Sequence, residues 1–110
     1  MVNDKYLSSG KVEPVEMLPG VNRRTLVTTD EMMLVEFTID KGAIVPLHRH
    51  PHHQVGYVIS GELEMTIDND VRVCRPGDTY AITGNDDHCA LAITDCVVVD
   101  IFSPPREDYR

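Results

Sequence analysis

Four of the five histidines fall within His48-Arg49-His50-Pro51-His52-His53-Gln54, and the fifth, His88, stands 34 residues beyond Gln54. Neutral imidazole is the commonest nitrogen ligand for divalent transition metals, so this grouping has the make-up of a metal site. Side chains two apart on a strand project the same way, so His48 and His50 can offer nitrogens from one wall. Gln54 then opens the next strand, and His88 is expected to close the site from the other sheet. The bland alternative is a solvated polyhistidine loop with adventitious affinity. A second group lies in Cys96-Val97-Val98-Val99-Asp100-Ile101-Phe102, the most apolar strand, which Asp100 interrupts. Period two sets Val98, Asp100 and Phe102 on one face and Val97, Val99 and Ile101 on the other. If the second set fills the space between sheet and partner, Asp100 and Phe102 look into the metal cavity. A carboxylate there is pulled up by desolvation and down by a nearby cation, and either way is a candidate proton shuttle. Its alternative is a strand-end aspartate satisfied by backbone amides or an arginine. Phe102 taken alone is more often core than ligand platform.

These groups need a rigid β framework. Short runs rich in Val, Ile, Thr and Tyr recur along the chain, and no segment keeps apolar residues at helical spacing for three turns. Strands are expected over 25–28, 32–39, 44–48, 54–60, 62–67, 71–74, 79–82, 88–93 and 97–102, separated by turns such as Ser60-Gly61, Asp68-Asn69-Asp70 and Arg75-Pro76-Gly77-Asp78. In the hairpin 62–74, Leu63, Met65 and Ile67 share one face while Glu62, Glu64 and Thr66 share the other. Ser103-Pro104-Pro105 stops the last strand. The pattern is all-β, a barrel or sandwich.

Length and composition narrow the function classes. The 110 residues suit one domain, 1–110, and 42% hydrophobic with 25% charged residues describes a chain that folds. Ten Lys and Arg against eighteen Asp and Glu give a net charge of -8, so neither nucleic acid nor an anionic membrane is an expected partner. A small anionic substrate stays open, because a metal ion and one or two arginines can reverse the field inside a pocket. The first residues, Met1-Val2-Asn3-Asp4-Lys5-Tyr6, hold no apolar signal core, and a cytoplasmic location is expected. Cys74, Cys89 and Cys96 are odd in number and lack CxxC spacing, so all three are read as reduced strand or core residues.

Gly42-x5-His48-x-His50-x3-Gln54-x6-Gly61 resembles the first motif of the cupin superfamily, with Gln where the motif usually has Glu. Gly77-x5-Thr83-x-Asn85-x2-His88 resembles the second, with Thr in place of Pro and Asn in place of Gly. The resemblance implies a jelly-roll barrel, the double-stranded β-helix, with its site inside. It also implies that His48, His50, Gln54 and His88 ligate one divalent ion, which could be nickel, zinc, iron, manganese or cobalt. Gln54 makes that ligand set neutral, leaving the full charge of the ion in the cavity. His52 and His53 have no motif position; surface, substrate-contact or supporting roles are all open to them.

The tail Asp100-Ile101-Phe102-Ser103-Pro104-Pro105-Arg106-Glu107-Asp108-Tyr109 resembles the C-terminus of the KdgF-type cupins, the pectin degradation proteins. That family converts 4,5-unsaturated uronate monosaccharides from pectate and alginate lyases to the linear keto form. The resemblance implies Asp100 as proton shuttle, Arg106 as catalytic and substrate-carboxylate clamp, and Phe102 as a surface for the sugar. It implies a homodimer too, with the segment 12–24 a candidate for exchange. Two other classes compete: a metal-dependent dioxygenase, marked by iron dependence and oxygen uptake, and a noncatalytic sugar-binding module.

Overall fold

The computed structural model describes residues 5–110; residues 1–4, part of the stretch read for a signal core, lie outside the described residues. Ten strands follow in order: β1 (Val15–Leu18), β2 (Val21–Thr28), β3 (Met33–Ile39), β4 (Ile44–His48), β5 (His53–Ser60), β6 (Leu63–Ile67), β7 (Asp70–Cys74), β8 (Thr79–Ile82), β9 (His88–Ala92) and β10 (Cys96–Ser103). The only helical pieces among the described residues are 3-10 turns at Ser9–Lys11 and Glu107–Tyr109, so no helix is long and apolar enough to cross a membrane. The strands form a six-stranded sheet, β1-β2-β3-β10-β5-β8, and a four-stranded sheet, β4-β9-β6-β7. Every pairing is antiparallel.

Alternation drives this packing. Along β5 and β10 every second residue is buried, and Val58, Val98, Ile82, Leu63 and Met65 meet between the sheets with Val21 and Ile39. Burial of each such side chain is worth about 1.5–3 kcal/mol. Val98, Asp100 and Phe102 point inward as the period-two reading requires, and Ile101 points out. The hairpin β6–β7 turns at Asp68-Asn69, both with positive φ, the tight primed geometry that suits the right-handed twist of its strands.

The six-stranded sheet extends further than expected. Strand β2 starts at Val21, and β1 pairs with it inside the chain, so the segment offered for exchange forms a hairpin of its own here. Polar Asn22, Arg23 and Arg24 hide β2 from hydrophobic periodicity, although Arg23 points inward and is buried. All three cysteines are free, Cys74 and Cys96 buried and Cys89 half-buried.

Candidate metal centre and active site

Strand β4 ends at His48, so His50 projects from the loop that follows it and not from the strand. The expectation that His88 reaches across from the other sheet is also corrected. His48 and His88 face each other directly in the β4–β9 pairing, and it is Gln54, on β5, that comes from the opposite sheet. His50 is tied to the second motif through Asn85, whose N–H donates to the His50 carbonyl at 2.7 Å. Asn85 adopts φ of 67°, a conformation open to Asn almost as to Gly, which accounts for its standing in glycine's place. Thr83 uses the N–H that proline lacks, donating to Asp86 Oδ2 at 2.8 Å.

The three histidines point the same chemistry at one spot. His48, His50 and His88 each offer a ring nitrogen, and those atoms lie within 4.8 Å of one another. On the far side of each ring, Nδ1 meets a backbone carbonyl: Pro46 at 2.8 Å, His52 at 3.1 Å and Asp86 at 2.9 Å. Contacts of this kind hold the proton on Nδ1 and turn the Nε2 lone pair toward the cavity. His88 Nε2 is buried without any hydrogen-bond partner. Burial lowers the pKa of His88 and, with the Arg106 and His88 charges adding, that of His50 to about 4, so both rings are neutral at pH 7.

Neutrality leaves His50 one proton short. Its Nδ1 faces the His52 carbonyl and its Nε2 faces Gln54 Oε1 at 3.1 Å, both acceptors. One of these contacts therefore sets lone pair against lone pair, a conflict that a cation at Nε2 and Oε1 removes. The orphaned nitrogen of His88 and this doubled acceptor fit a divalent ion, and the cluster is compatible with a metal site.

The opposite wall is built from one row of the six-stranded sheet. Asp100, Gly56 and Tyr80 are direct neighbours across β10, β5 and β8. Because the middle residue has no side chain, its two neighbours meet over it: Tyr80 Oη donates to Asp100 Oδ1 at 2.6 Å. A Cβ on Gly56 would overlap Tyr80 Cζ and Asp100 Oδ1. Gln54 Nε2 donates to Asp100 Oδ2 at 2.9 Å. Burial pushes the Asp100 carboxyl up to about 7 against the lowering effect of these two hydrogen bonds. Desolvation and the neighbouring carboxylate push the Tyr80 phenol well above its usual range.

The tail closes the end of the barrel. Arg106 stacks over Tyr109 at 4.1 Å and lies 5.4 Å from the Phe102 ring, lining the cavity with both. Its Nε and Nη2 donate to the two Asp108 carboxylate oxygens at 3.3 and 3.0 Å, so that edge of the fork is already occupied and Nη1 is left toward other partners. Arg23 stacks on Tyr109 as well, at 4.6 Å, and Thr25 Oγ1 donates to the Tyr109 carbonyl at 2.6 Å, which pins the tail to β2. Phe102 is 1% exposed and packs with Met33, Val35 and Tyr109, so little more than its cavity edge is left to meet a ligand.

The structure thus brings His48, Gln54, His88, Asp100, Phe102 and Arg106 to one cavity of about 490 Å³, its open mouth included, while His50 joins them from beside it through the other two histidines, Gln54 and Phe102. His52 and His53 do not line it. His52 supports His50 through its carbonyl, and exposed His53 accepts the Gly84 N–H at 3.3 Å. Sequence reading missed Tyr80, Gly56, Arg23 and Tyr109. A glycine inside strand β5 was the available signal, since such a position marks a close approach by another group. Nothing along the chain marks the stacking of Arg23 on Tyr109.

A family model described as cupin domain matches residues 35–102. The pectin degradation protein KdgF of Dickeya dadantii is 33% identical over 107 residues, covering 96% of this chain and 97% of that protein. Among solved structures, KdgF from a Halomonas species superposes with a TM-score of 0.92 at 30% identity, covering 97% of this chain and 99% of that one. An RmlC-like cupin from Shewanella frigidimarina gives a TM-score of 0.93 at 33% identity, over 97% and 96% of the two chains. The chain is a cupin and belongs to the family of the pectin degradation protein KdgF.

Proposed function

We propose that this protein opens the ring of 4,5-unsaturated uronate monosaccharides and ketonises the product. The observation that carries the reading is a carboxylate, Asp100, buried in the cavity between two hydrogen-bond donors and set opposite the histidine cluster. The reaction needs one proton moved and no atom gained or lost. As the ring C–O bond breaks, the anomeric hydroxyl gives up its proton to Asp100, leaving an aldehyde and an enolate. Return of that proton to the adjacent alkene carbon then turns the enolate into a ketone. Asp100 thus carries one proton from oxygen to carbon, a role open to a buried carboxyl whose pKa desolvation raises. A divalent ion held by His48, His50, Gln54 and His88 would supply Lewis-acid stabilisation of charge on the substrate oxygens.

Arg106 holds the sugar carboxylate with the guanidinium edge that Asp108 leaves free, while Tyr109 keeps the guanidinium plane in place. The Phe102 ring edge packs on the sugar. The test is to incubate metal-loaded and chelated protein with lyase-generated unsaturated monouronates, following the ultraviolet absorbance of the conjugated double bond. Metal-dependent loss above the spontaneous rate, reduced about 10²–10⁴-fold in Asp100→Asn, is expected. Full activity in that variant would remove Asp100 from the chemistry. Arg106→Ala is expected to act mainly on KM.

The same reading includes a homodimer. The outer face of the six-stranded sheet exposes Val55, Tyr57, Ile59 and Ile101, an apolar patch that a second copy would cover. Light scattering after size exclusion tests this, with Tyr57→Lys expected to shift the mass toward the monomer.

A further inference from the structure

We infer that Asp100 and Tyr80 set the orientation of the Gln54 amide, and so determine metal affinity separately from any part in catalysis. This inference rests on the metal reading of the histidine cluster. A glutamine can present either end of its amide, and only the oxygen can ligate a cation. A glutamate in its place needs no such control, because both of its ends are acceptors. In this chain the control comes from behind. Gln54 Nε2 donates to Asp100 Oδ2 at 2.9 Å, which commits Oε1 to the histidine side, 3.1 Å from His50 Nε2. Asp100 is fixed in turn by Tyr80 Oη at 2.6 Å on its other oxygen. All three side chains are buried, so water does not compete for these contacts.

Read this way, Gly56 has a purpose in the ligand set, since only a residue without a side chain lets Tyr80 reach Asp100 across β5.

Direction of donation separates this from a merely structural role. Asn at position 100 can still accept from Gln54 Nε2 with its oxygen, while its NH₂ donates to a Tyr80 hydroxyl turned to act as acceptor. Leu at the same position is close in size and accepts nothing. Cobalt(II) affinity of the full chain is measured by competition with a chromophoric chelator, for the wild type, Asp100→Asn, Asp100→Leu, Gln54→Ala and the Gln54→Ala/Asp100→Leu pair. Loss of a partner that orients a ligand typically costs about 10–100-fold in affinity. Asp100→Leu is expected to weaken cobalt within that range, and Asp100→Asn to stay within about threefold of wild type. In the Gln54→Ala background Asp100→Leu should add less than about twofold, because its effect runs through the amide. An Asp100→Leu protein that binds as tightly as wild type, or that loses as much when Gln54 is already absent, overturns the inference. Asp100→Ala serves the same comparison if leucine prevents folding, which circular dichroism reports. A wild type that binds no cobalt overturns the metal reading and this inference together, whereas failure of the uronate assay alone touches neither.

Discussion

The two walls of the cavity are held in different ways. On the histidine wall each ring is steadied by a backbone carbonyl, of Pro46, His52 or Asp86, so the support survives changes in neighbouring side chains. On the carboxylate wall Gln54, Asp100 and Tyr80 hold one another through side chains alone, and Gly56 provides the space. A side-chain network in a dry interior is only as sound as its weakest member, and each substitution propagates through it. The first wall is therefore expected to tolerate the loss of one member, and the second to transmit it.

The sharpest break in that contrast is His88→Ala. Removing one of three clustered nitrogens is expected to weaken divalent metal binding by more than about 100-fold, while the metal-free fold keeps or gains stability. The gain comes from deleting a buried nitrogen that has no partner. Calorimetric titration with zinc and urea unfolding of the stripped protein give both numbers. A large loss of metal-free stability would instead show that the histidine wall is also a network.

Gly56→Ala probes the other wall. Its methyl must displace Tyr80, Asp100 or the strand, and a loss of roughly 1–3 kcal/mol in urea unfolding is expected from overpacking. Turnover should fall with it, whereas Gly10→Ala, with open space around it, serves as a neutral control.

Asp100→Asn sharpens the comparison through pH. In the metal-free fold Asp100 titrates near 7, above its ordinary 3.8, because burial penalises its charge. Between those values the folded chain keeps a proton that the unfolded chain has released, so the stability linked to it is full below pH 4 and lost as pH rises through 7. Asn has no such loss. Relative to wild type, metal-free Asp100→Asn is expected to gain on the order of a few kcal/mol between pH 4 and pH 8, the His50 contribution being common to both proteins. An unchanged difference across that range would mean that the carboxylate is solvated when the ion is absent.

The smallest effect concerns the brace behind His50. Asn85→Ala places an ordinary residue at φ of 67° and should cost about 1 kcal/mol, while Asn85→Gly should be neutral or slightly stabilising. Thermal unfolding distinguishes them.

Much of this was legible beforehand, and the misses have physical reasons. The inward face of β10 and the hairpin β6–β7 follow from alternation, whereas the grouping of His48, His50, Gln54 and His88 follows from motifs that resemble the cupin pattern and not from strand period. Strand β1 and the start of β2 are hidden, because an edge hairpin with charged residues carries little hydrophobic period. The wall on which His88 stands is hidden too, since spacing along the chain says nothing about which strands pair.

The amino-acid sequence by itself determined the β architecture, the ligand chemistry available and the residue that interrupts the last strand, because side-chain period and residue type are properties of a short stretch. Only the tertiary structure decided that Tyr80 and Gln54 share the two oxygens of Asp100, that Asp108 occupies one edge of Arg106, and that Tyr109 fastens the tail to β2. Apart from the exposed Arg106–Asp108 pair, those contacts join residues from 20 to 84 positions apart, and they exist only once strands distant along the chain have paired in the six-stranded sheet.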